Sequence, residues 1–322
     1  FSSYVVMGSR GAGTMKFLIL GAGALGGYYG GLLLKGGADV TFLARPKTAA
    51  RLKKNGLKMR LENENFQTPV KVITADKTDT KYDVIILTCK SYDLQEAIEA
   101  ITPALGTQSA VLPILNGINH IDILQDRFGP NRVLGGVTQF LVNQADDGTI
   151  LPTFHGSGGQ KTYFGEIVGG TSERSRAILD VMRKTMPDVE LSEEILKELW
   201  NKFSGAASSF AVASLLQVRA GKVAATSAGQ SVVSTIFDEC AAICEAEGYP
   251  PPAFVRKVLV HDLWGKQNSD YGPSLLADIE NMRPTEGVDI VGDLVSRGKK
   301  HKVHTPLLEA ALCRLQLYEL DR

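Results

Sequence analysis

The pattern of hydrophobic and polar positions differs between the first and the second half of this chain. From Met15, short apolar runs alternate with segments of helical spacing, beginning with "KFLIL" at 16–20, a glycine-rich turn, "YYGGLLLKGG" at 28–37 and "ADVTFLAR" at 38–45. This order of strand, turn, helix and strand predicts a βαβ unit. Further strand candidates lie at 57–61, 69–73, 82–88 and 110–115, with helical segments after the last two. The first half therefore predicts a doubly wound α/β sheet.

The second pattern, of helical periodicity alone, begins after about Leu191. Six segments with helical periodicity follow, "EGYPPP" and "RPTEG" interrupt them, and no run shows the alternation of a strand. They span residues 193–215, 226–247, 252–267, 272–282, 286–300 and 305–320. We predict a sheet domain over 15–189 and an all-helical C-terminal domain over 190–322. Residues 1–14 lack the long apolar region of a signal peptide, so we interpret them as an extension.

Composition narrows the classes of function. The 322 residues include 35 basic and 35 acidic side chains, which cancel, so no net charge attracts nucleic acid or an anionic membrane surface. Apolar runs stay shorter than the roughly 20 residues that span a bilayer, and four cysteines without a short disulfide framework fit a reducing compartment. We therefore expect a cytoplasmic protein with a small-molecule partner, neither nucleic acid nor membrane, and we leave a homodimer open.

A glycine motif separates the first strand from the first helix. Gly21, Gly23 and Gly26 form the pattern G-x-G-x-x-G. In a Rossmann-type fold the first glycine permits the tight turn, the second lets the backbone approach a pyrophosphate, and the third lets helix and strand pack closely. The motif lies inside a βαβ unit, which favours a dinucleotide site over a purely structural turn. The residues between the glycines, also expected to contact the cofactor, are Ala22, Ala24 and Leu25.

Three strand ends supply polar side chains where open α/β sheets bind ligands. The second strand ends in Ala44 and Arg45, at the position where an acidic residue would accept a hydrogen bond from a ribose 2′-hydroxyl. Arg45 instead favours the 2′-phosphate of NADP(H). "VIILTCK" brings Lys90 and "PILNG" brings Asn116 to the same edge, although a solvated lysine and a turn asparagine are alternative interpretations.

These features resemble, in order and spacing, the ketopantoate reductase (2-dehydropantoate 2-reductase) family. The resemblance covers nearly the whole chain from Met15, and it includes "ELWNK" at 198–202 and "SLLADIENMRPTEGVDI" at 274–290. It implies a Rossmann domain followed by a helical domain. It also implies NADPH-dependent reduction of the 2-oxo group of ketopantoate to give pantoate on the way to coenzyme A.

The resemblance also implies roles for single residues. Lys202 matches the catalytic lysine, and Glu286 matches the glutamate that borders cofactor and substrate. Ser274 matches a substrate contact, and Asn116 matches a residue that meets both ligands. The cofactor contacts that the resemblance implies are Lys90, Arg45 and Val142.

The chemistry of ketone reduction accounts for these residue types. Hydride delivery builds negative charge on the ketone oxygen, and a positioned acid stabilises it. Lys202 can be that acid, because partial burial lowers a lysine pKa from about 10.4 toward neutrality. Glu286 opposes this lowering and holds the ammonium in place. Ser274 and a cation such as Arg283 can hold a substrate carboxylate, although a surface arginine is the more ordinary interpretation.

The chain departs from the family after the lysine. The resemblance implies substrate-binding asparagines at three positions, which are Ala206, Phe210 and Ala220 in this chain. Ala206 and Phe210 are expected to line the substrate pocket, where they remove the reason to prefer a hydroxylated substrate. Ser208 or Ser209 can restore a donor, although helix serines commonly bond to their own backbone. Ketopantoate and a more apolar oxo acid both stay open as substrates.

A third hypothesis is an NADP-sensing protein without catalysis, which the intact Lys202 and Glu286 argue against. Cys240 and Cys244, four apart on an apolar helix, are typical of core thiols. His301 and His304 lack cysteine or acidic neighbours in sequence, so we expect no metal site. His120 follows "NGIN" near the predicted cleft, and we interpret it as a helix-start residue rather than a catalyst.

Overall fold

The computed structural model describes residues 14–153, 161–186 and 188–322. Apart from Thr14, the extension predicted over 1–14 therefore lies outside the described residues. The described strands are β1 (Lys16–Leu20), β2 (Asp39–Leu43), β3 (Leu57–Arg60), β4 (Asn65–Thr68), β5 (Lys71–Ile73), β6 (Tyr82–Leu87), β7 (Leu105–Pro113), β8 (Leu134–Thr138), β9 (Val142–Gln144), β10 (Ile150–Pro152), β11 (Thr162–Glu166) and β12 (Val189–Leu191).

The α-helices follow the strands of the first half and then make up the second half. They are α1 (Ala24–Lys35), α2 (Pro46–Asn55), α3 (Leu94–Ile101), α4 (Asn119–Phe128), α5 (Glu173–Met182), α6 (Ile195–Leu216), α7 (Ala220–Ala224), α8 (Gly229–Ala246), α9 (Ala253–Arg256), α10 (Ser274–Glu280), α11 (Gly287–Lys300) and α12 (Pro306–Asp321). A π-helical segment, Lys257–Leu263, continues α9. No helix among the described residues is both long and apolar enough to cross a membrane.

Strand β1 lies at the centre of a parallel sheet with the strand order β5-β2-β1-β6-β7. Its side chains alternate between two buried faces. Phe17 and Ile19 pack with Tyr29 of α1, whereas Leu18 packs with Ile98 of α3 on the opposite face. Because helices cover both faces, the strand is apolar at nearly every position. The predicted doubly wound α/β sheet is confirmed.

Two smaller sheets extend the first domain, with the strand orders β4-β3-β10-β9 and β12-β11-β8. Of their strands, the sequence pattern predicts only β3. The others are short. Strands β4 and β9 pair with their sequence neighbours β3 and β10, and pairs that are distant in sequence join the rest, as where Ile150 of β10 lies opposite Met59 of β3. Strand β8 has the sequence "LGGVT" and also contains two glycines. Such strands carry little local signal.

The second domain is built around the 22-residue helix α6. This helix packs against α8, α10, α11 and α12, and its Phe203 joins the fully buried Trp264 in one apolar core. After β12 the described chain forms helices and no strand, and helical segments occupy the six predicted stretches. The predicted all-helical second domain is confirmed. The helix predicted over 252–267 is divided between α9 and the π-helical segment.

The start of α4 joins the two domains. Ile118 and Ile121 belong to the same apolar core as α6. Arg297 of α11 also forms an ion pair with Asp122 of α4 at 3.1 Å. These contacts hold the carboxyl edge of the parallel sheet against the helical domain, and we call the region where the two meet the cleft.

Candidate active site

The turn between β1 and α1 has a different geometry at each glycine of the motif. Gly21 has a φ of +92°, in the left-handed region that favours glycine. Around Gly23 the described residues leave open space where a Cβ would lie. At Gly26, a Cβ would come within 2.1 Å of the Gly21 carbonyl oxygen, so helix and strand pack too closely for a side chain. The Ala22 carbonyl oxygen accepts a hydrogen bond from Gln144 of β9 at 3.0 Å.

The N-terminus of α1 suits an anionic group. The helix begins at Ala24, next to Leu25; its N-cap is Gly23, with no side-chain capping bond and no acidic residue in the first turn. The first N–H groups of a helix lack intrahelical partners and carry partial positive charge. With Gly23 exposed beside them, these groups fit the pyrophosphate of a dinucleotide.

Glu286 connects the strand ends of the sheet domain to the helical domain. Its carboxylate, only 3% exposed, accepts hydrogen bonds from Lys90 Nζ at 2.9 Å, the Ser91 backbone N–H at 3.1 Å and Asn116 Nδ2 at 3.2 Å. Burial lowers the pKa of Lys90, but the charge and hydrogen bond of Glu286, together with the charge of Asp278, more than offset this effect, so the pKa is raised. Three predicted site residues, Lys90, Asn116 and Glu286, are therefore in direct contact.

The segment that carries Glu286 is held by the last helix of the chain. Glu319 of α12 accepts hydrogen bonds from the backbone N–H of Thr285 at 3.0 Å and from its hydroxyl at 2.9 Å. The Tyr318 hydroxyl donates to the Arg283 carbonyl oxygen at 2.8 Å. Glu286 itself is the N-cap residue of α11. These contacts place a buried carboxylate at the cleft in one defined position.

Lys202 lies on α6 between buried neighbours, among them Trp200 and Phe203, and its own side chain is partly buried. Burial lowers the pKa of Lys202 to about 8, while the charge of Glu286 acts in the opposite direction. Among the described residues, its ammonium takes part in no hydrogen bond or ion pair. An ammonium of this kind can donate a proton near neutral pH.

The predicted cofactor contacts outside the glycine turn differ in their surroundings. Arg45 is exposed at the start of α2, and its guanidinium pairs with Asp93 at 2.8 Å and Glu96 at 3.0 Å, which raises its pKa. Val142 is the first residue of β9 and is partly exposed. A 2′-phosphate at Arg45 would therefore compete with two carboxylates for the guanidinium.

Helix α6 forms the side of the cleft where substrate is expected, and the two positions on it where the family resemblance implies asparagines are apolar. Ala206 lies one turn after Lys202 and is partly exposed, whereas Phe210 and Ala220 are buried in the core. Ser274, the first residue of α10, is exposed at the surface, as is Arg283. Of the residues expected to bind substrate, Ala206 lies on the same face of α6 as Lys202. Phe210 packs in the apolar core of the helical domain.

The serines after Lys202 are already bonded. The Ser208 hydroxyl donates to the Ser204 carbonyl oxygen at 2.7 Å, the helical back-bond that competes with other roles. The Ser209 hydroxyl accepts hydrogen bonds from Trp264 Nε1 and from the Tyr271 hydroxyl, both at 3.1 Å. Neither arrangement supplies the cleft with a replacement for the absent amides.

Two polar residues of the cleft, Ser91 and Asp278, are not predicted by the sequence, and a third, His120, is interpreted from the sequence only as a helix-start residue. Ser91 donates its hydroxyl to Asp289 of α11 at 2.6 Å, and Asp278 lies 3.7 Å from Lys90. His120 is buried at the start of α4, close enough for the Lys202 charge to act on its ring. The available sequence signals are adjacency to "TCK" for Ser91, adjacency to "NG" for His120 and a place within "SLLADIENMRPTEGVDI" for Asp278, and none of them gives a partner.

The other candidate residues of the sequence lie outside the cleft. Cys240 and Cys244 are buried free thiols, and Cys240 donates to the Ser204 carbonyl oxygen at 3.4 Å. His301 contacts Glu247 at 2.9 Å, and His304 is exposed. Within the described ranges, no group of three or more His, Cys, Asp or Glu side chains is arranged to hold a metal ion.

The fold and the cleft together define a class, an oxidoreductase with a Rossmann-type first domain and a helical second domain. The family model described as ketopantoate reductase PanE/ApbA matches residues 17–169, and its C-terminal counterpart matches residues 194–319. The chain belongs to the ketopantoate reductase PanE/ApbA family.

Individual relatives agree with this assignment. The chain is 34% identical over 308 residues to the uncharacterized oxidoreductase YkpB of Bacillus subtilis (strain 168), covering 96% of this chain and 100% of the relative. It is 26% identical over 332 residues to 2-dehydropantoate 2-reductase of Mesorhizobium japonicum, covering 96% and 99%. The ternary structure of D-mandelate dehydrogenase with NADH and anilino(oxo)acetate has the same fold, with a TM-score of 0.81, 22% identity and coverage of 95% and 99%.

The glycine turn gives a matched pair of variants. Gly26→Ala places a Cβ against the Gly21 carbonyl oxygen, so we expect the free energy of unfolding to fall by about 1–3 kcal/mol. Gly23→Ala meets open space and should change it by less than about 0.5 kcal/mol, yet weaken dinucleotide binding. Urea denaturation and fluorescence titration with NADPH measure the two effects. Unchanged NADPH affinity in Gly23→Ala would exclude a close approach of the pyrophosphate.

Proposed function

We propose that this chain reduces the 2-oxo group of a 2-oxo acid to a hydroxyl group, with NADPH as the hydride donor and Lys202 as the general acid. The observation that carries the proposal is the Lys202 ammonium, partly buried beside Glu286, with a pKa lowered to about 8. Glu286 also contacts Lys90 and Asn116 at the sheet edge, where Rossmann-type folds bind the nicotinamide.

The residues of the chain supply the acid and the orientation. When bound, a nicotinamide cofactor supplies the hydride that the substrate carbon C2 receives. Lys202 Nζ donates a proton to the substrate carbonyl oxygen as negative charge builds there, and the lysine becomes neutral until solvent reprotonates it. Glu286 keeps the ammonium charged and in place before this step. Hydride and proton together convert the ketone to a secondary alcohol.

Ketopantoate is the first candidate substrate, with pantoate as its product for coenzyme A synthesis. Family membership and the 2-dehydropantoate 2-reductase relatives support it. The residues that support it in the chain are Lys202, Glu286 and Asn116.

A more apolar 2-oxo acid is the second candidate. Ala206 replaces an amide on the same helical face as Lys202, and Ser209, which follows on α6, is engaged by Trp264 and Tyr271. A pocket without buried amides gains nothing from a substrate hydroxyl. The similar D-mandelate dehydrogenase structure contains anilino(oxo)acetate, an acid with an aromatic substituent.

A substrate panel tests the reaction. Purified protein with NADPH and a series of 2-oxo acids, from ketopantoate to 2-oxoisovalerate and phenylglyoxylate, is followed by absorbance at the NADPH band. We expect turnover, and we expect Lys202→Ala to lower kcat by about 10²–10⁴-fold. Lys197→Ala, an exposed lysine on the same helix, is the matched control and should keep full activity.

The outcome of the substrate panel also distinguishes ketopantoate from a more apolar 2-oxo acid as the substrate. Turnover of ketopantoate supports the first, and turnover of apolar acids without ketopantoate supports the second. Tight NADPH binding without turnover of any 2-oxo acid would contradict the proposal.

The pKa of Lys202 predicts a pH dependence with a definite sign. The protonated lysine is the active form in reduction, so kcat/KM should be constant below about pH 8 and fall tenfold per unit above it. Oxidation of the hydroxy acid needs the neutral lysine, so its rate should rise through the same pH. Because the Glu286 charge raises the pKa of Lys202, Glu286→Gln should move both limbs to lower pH. Limbs that stay unmoved in Glu286→Gln would exclude this coupling.

The preference for NADPH over NADH is assigned to Arg45. Arg45→Ala removes a charge-assisted contact to the 2′-phosphate, and we expect KM for NADPH to rise about 10-fold to 100-fold while KM for NADH stays constant. The paired change Asp93→Asn with Glu96→Gln frees the guanidinium and should strengthen NADPH binding. Lys222→Ala, a change at an exposed lysine of the helical domain, controls for net charge. Equal changes for the two cofactors would contradict the assignment.

A further inference from the structure

His120 is a buried polar side chain in the cleft that the reaction described above does not use. Its exposed fraction is 4%, and neither ring nitrogen has a hydrogen-bond partner among the described residues. Buried polar groups in proteins are bonded in the great majority of cases, and the exceptions concentrate at functional sites. By contrast, the buried Glu286 has three donors. A buried imidazole without a protein partner, close enough to Lys202 to feel its charge, calls for a ligand.

The position of His120 relates it to the catalytic lysine. The residue lies four positions after Asn116 and belongs to the first turn of α4, whose flanking Ile118 and Ile121 pack into the apolar core around α6. Burial and, to a smaller extent, the Lys202 charge together lower the pKa of His120 to about 3. The ring is therefore neutral at physiological pH, with one nitrogen as a donor and the other as an acceptor.

The surroundings of the ring favour an anion. The ten-residue helix α4 begins at Asn119, and the N–H groups of its first turn add partial positive charge next to His120. The Lys202 ammonium adds a full positive charge. A helix N-terminus, an ammonium and an unpartnered N–H donor together match a carboxylate, which accepts several hydrogen bonds.

We propose that His120 is a substrate-binding residue whose neutral imidazole donates a hydrogen bond to the carboxylate of the 2-oxo acid. The inference rests on the proposed function, since it takes the substrate to be an acid whose carbonyl oxygen faces Lys202. His120 then provides, from α4, a polar contact that Ala206 and Phe210 do not provide from α6. Because the imidazole is neutral, it binds the carboxylate without placing a second cation next to Lys202.

Two variants of His120 separate a binding role from a structural one. His120→Leu keeps a similar volume and removes both nitrogens, and we expect KM for the best 2-oxo acid to rise about 10-fold to 100-fold, with kcat changed by less than about threefold. His120→Gln keeps a donor and should restore most of the affinity. The melting temperature of the free His120→Leu protein should be unchanged or higher, because the imidazole has no protein partner to lose. His261→Leu, an exposed histidine, is the control.

A direct measurement covers the case in which a variant folds poorly. In the wild-type protein labelled with ¹⁵N-histidine and saturated with NADPH, addition of anilino(oxo)acetate should shift the His120 ring nitrogens, with the His261 signals as reference. An unshifted ring would overturn the inference. Unchanged KM in His120→Leu together with a lower melting temperature would do the same, by showing a structural histidine. Absence of turnover in the wild type would instead count against the proposed function, a result that the panel of 2-oxo acids reports separately.

Discussion

The buried carboxylate of Glu286 is the interaction on which the cleft depends. A carboxylate that is almost fully removed from water needs donors from the protein, and here they come from the ends of β6 and β7 in the sheet domain. Glu286 itself belongs to the helical domain, at the start of α11. The sheet domain therefore supplies the donors for a charge that the helical domain carries. Any motion that separates the two domains leaves that charge unpaired.

The acidity of Lys202 results from a balance between burial and this carboxylate. Burial favours the neutral amine, and Glu286 favours the ammonium, which leaves the pKa near the pH at which proton donation is efficient. Lys90 also affects the balance, because it neutralises part of the Glu286 charge. The pKa of Lys202 is thus adjusted by residues from both domains, although the lysine lies on a single helix.

Local pattern predicted those parts of the structure that rest on local constraints. The run at β1 is apolar because both faces are covered, and the spacing of the glycine motif reflects a turn that needs a positive φ at Gly21 and leaves no room for a Cβ at Gly26. Strand β10 joins its sheet through Met59 of β3, which is far away in sequence, and left no such pattern. The same holds at the cleft, where the resemblance to the family indicated Lys202 and Glu286, but the unpartnered state of His120 arises only when α4 packs against α6.

The packing around α6 has a spectroscopic consequence. The chain contains two tryptophans, and both Trp200 and Trp264 lie in the helical domain. Trp200 lies two residues before Lys202 and stacks on Tyr249, and Trp264 is hydrogen-bonded to Ser209. Intrinsic tryptophan fluorescence therefore reports on the helical domain alone, because the sheet domain contains no tryptophan. Comparison of this signal with the far-UV circular dichroism of the whole chain can thus show, without a label, whether the domain that carries Lys202 melts together with the sheet domain or apart from it.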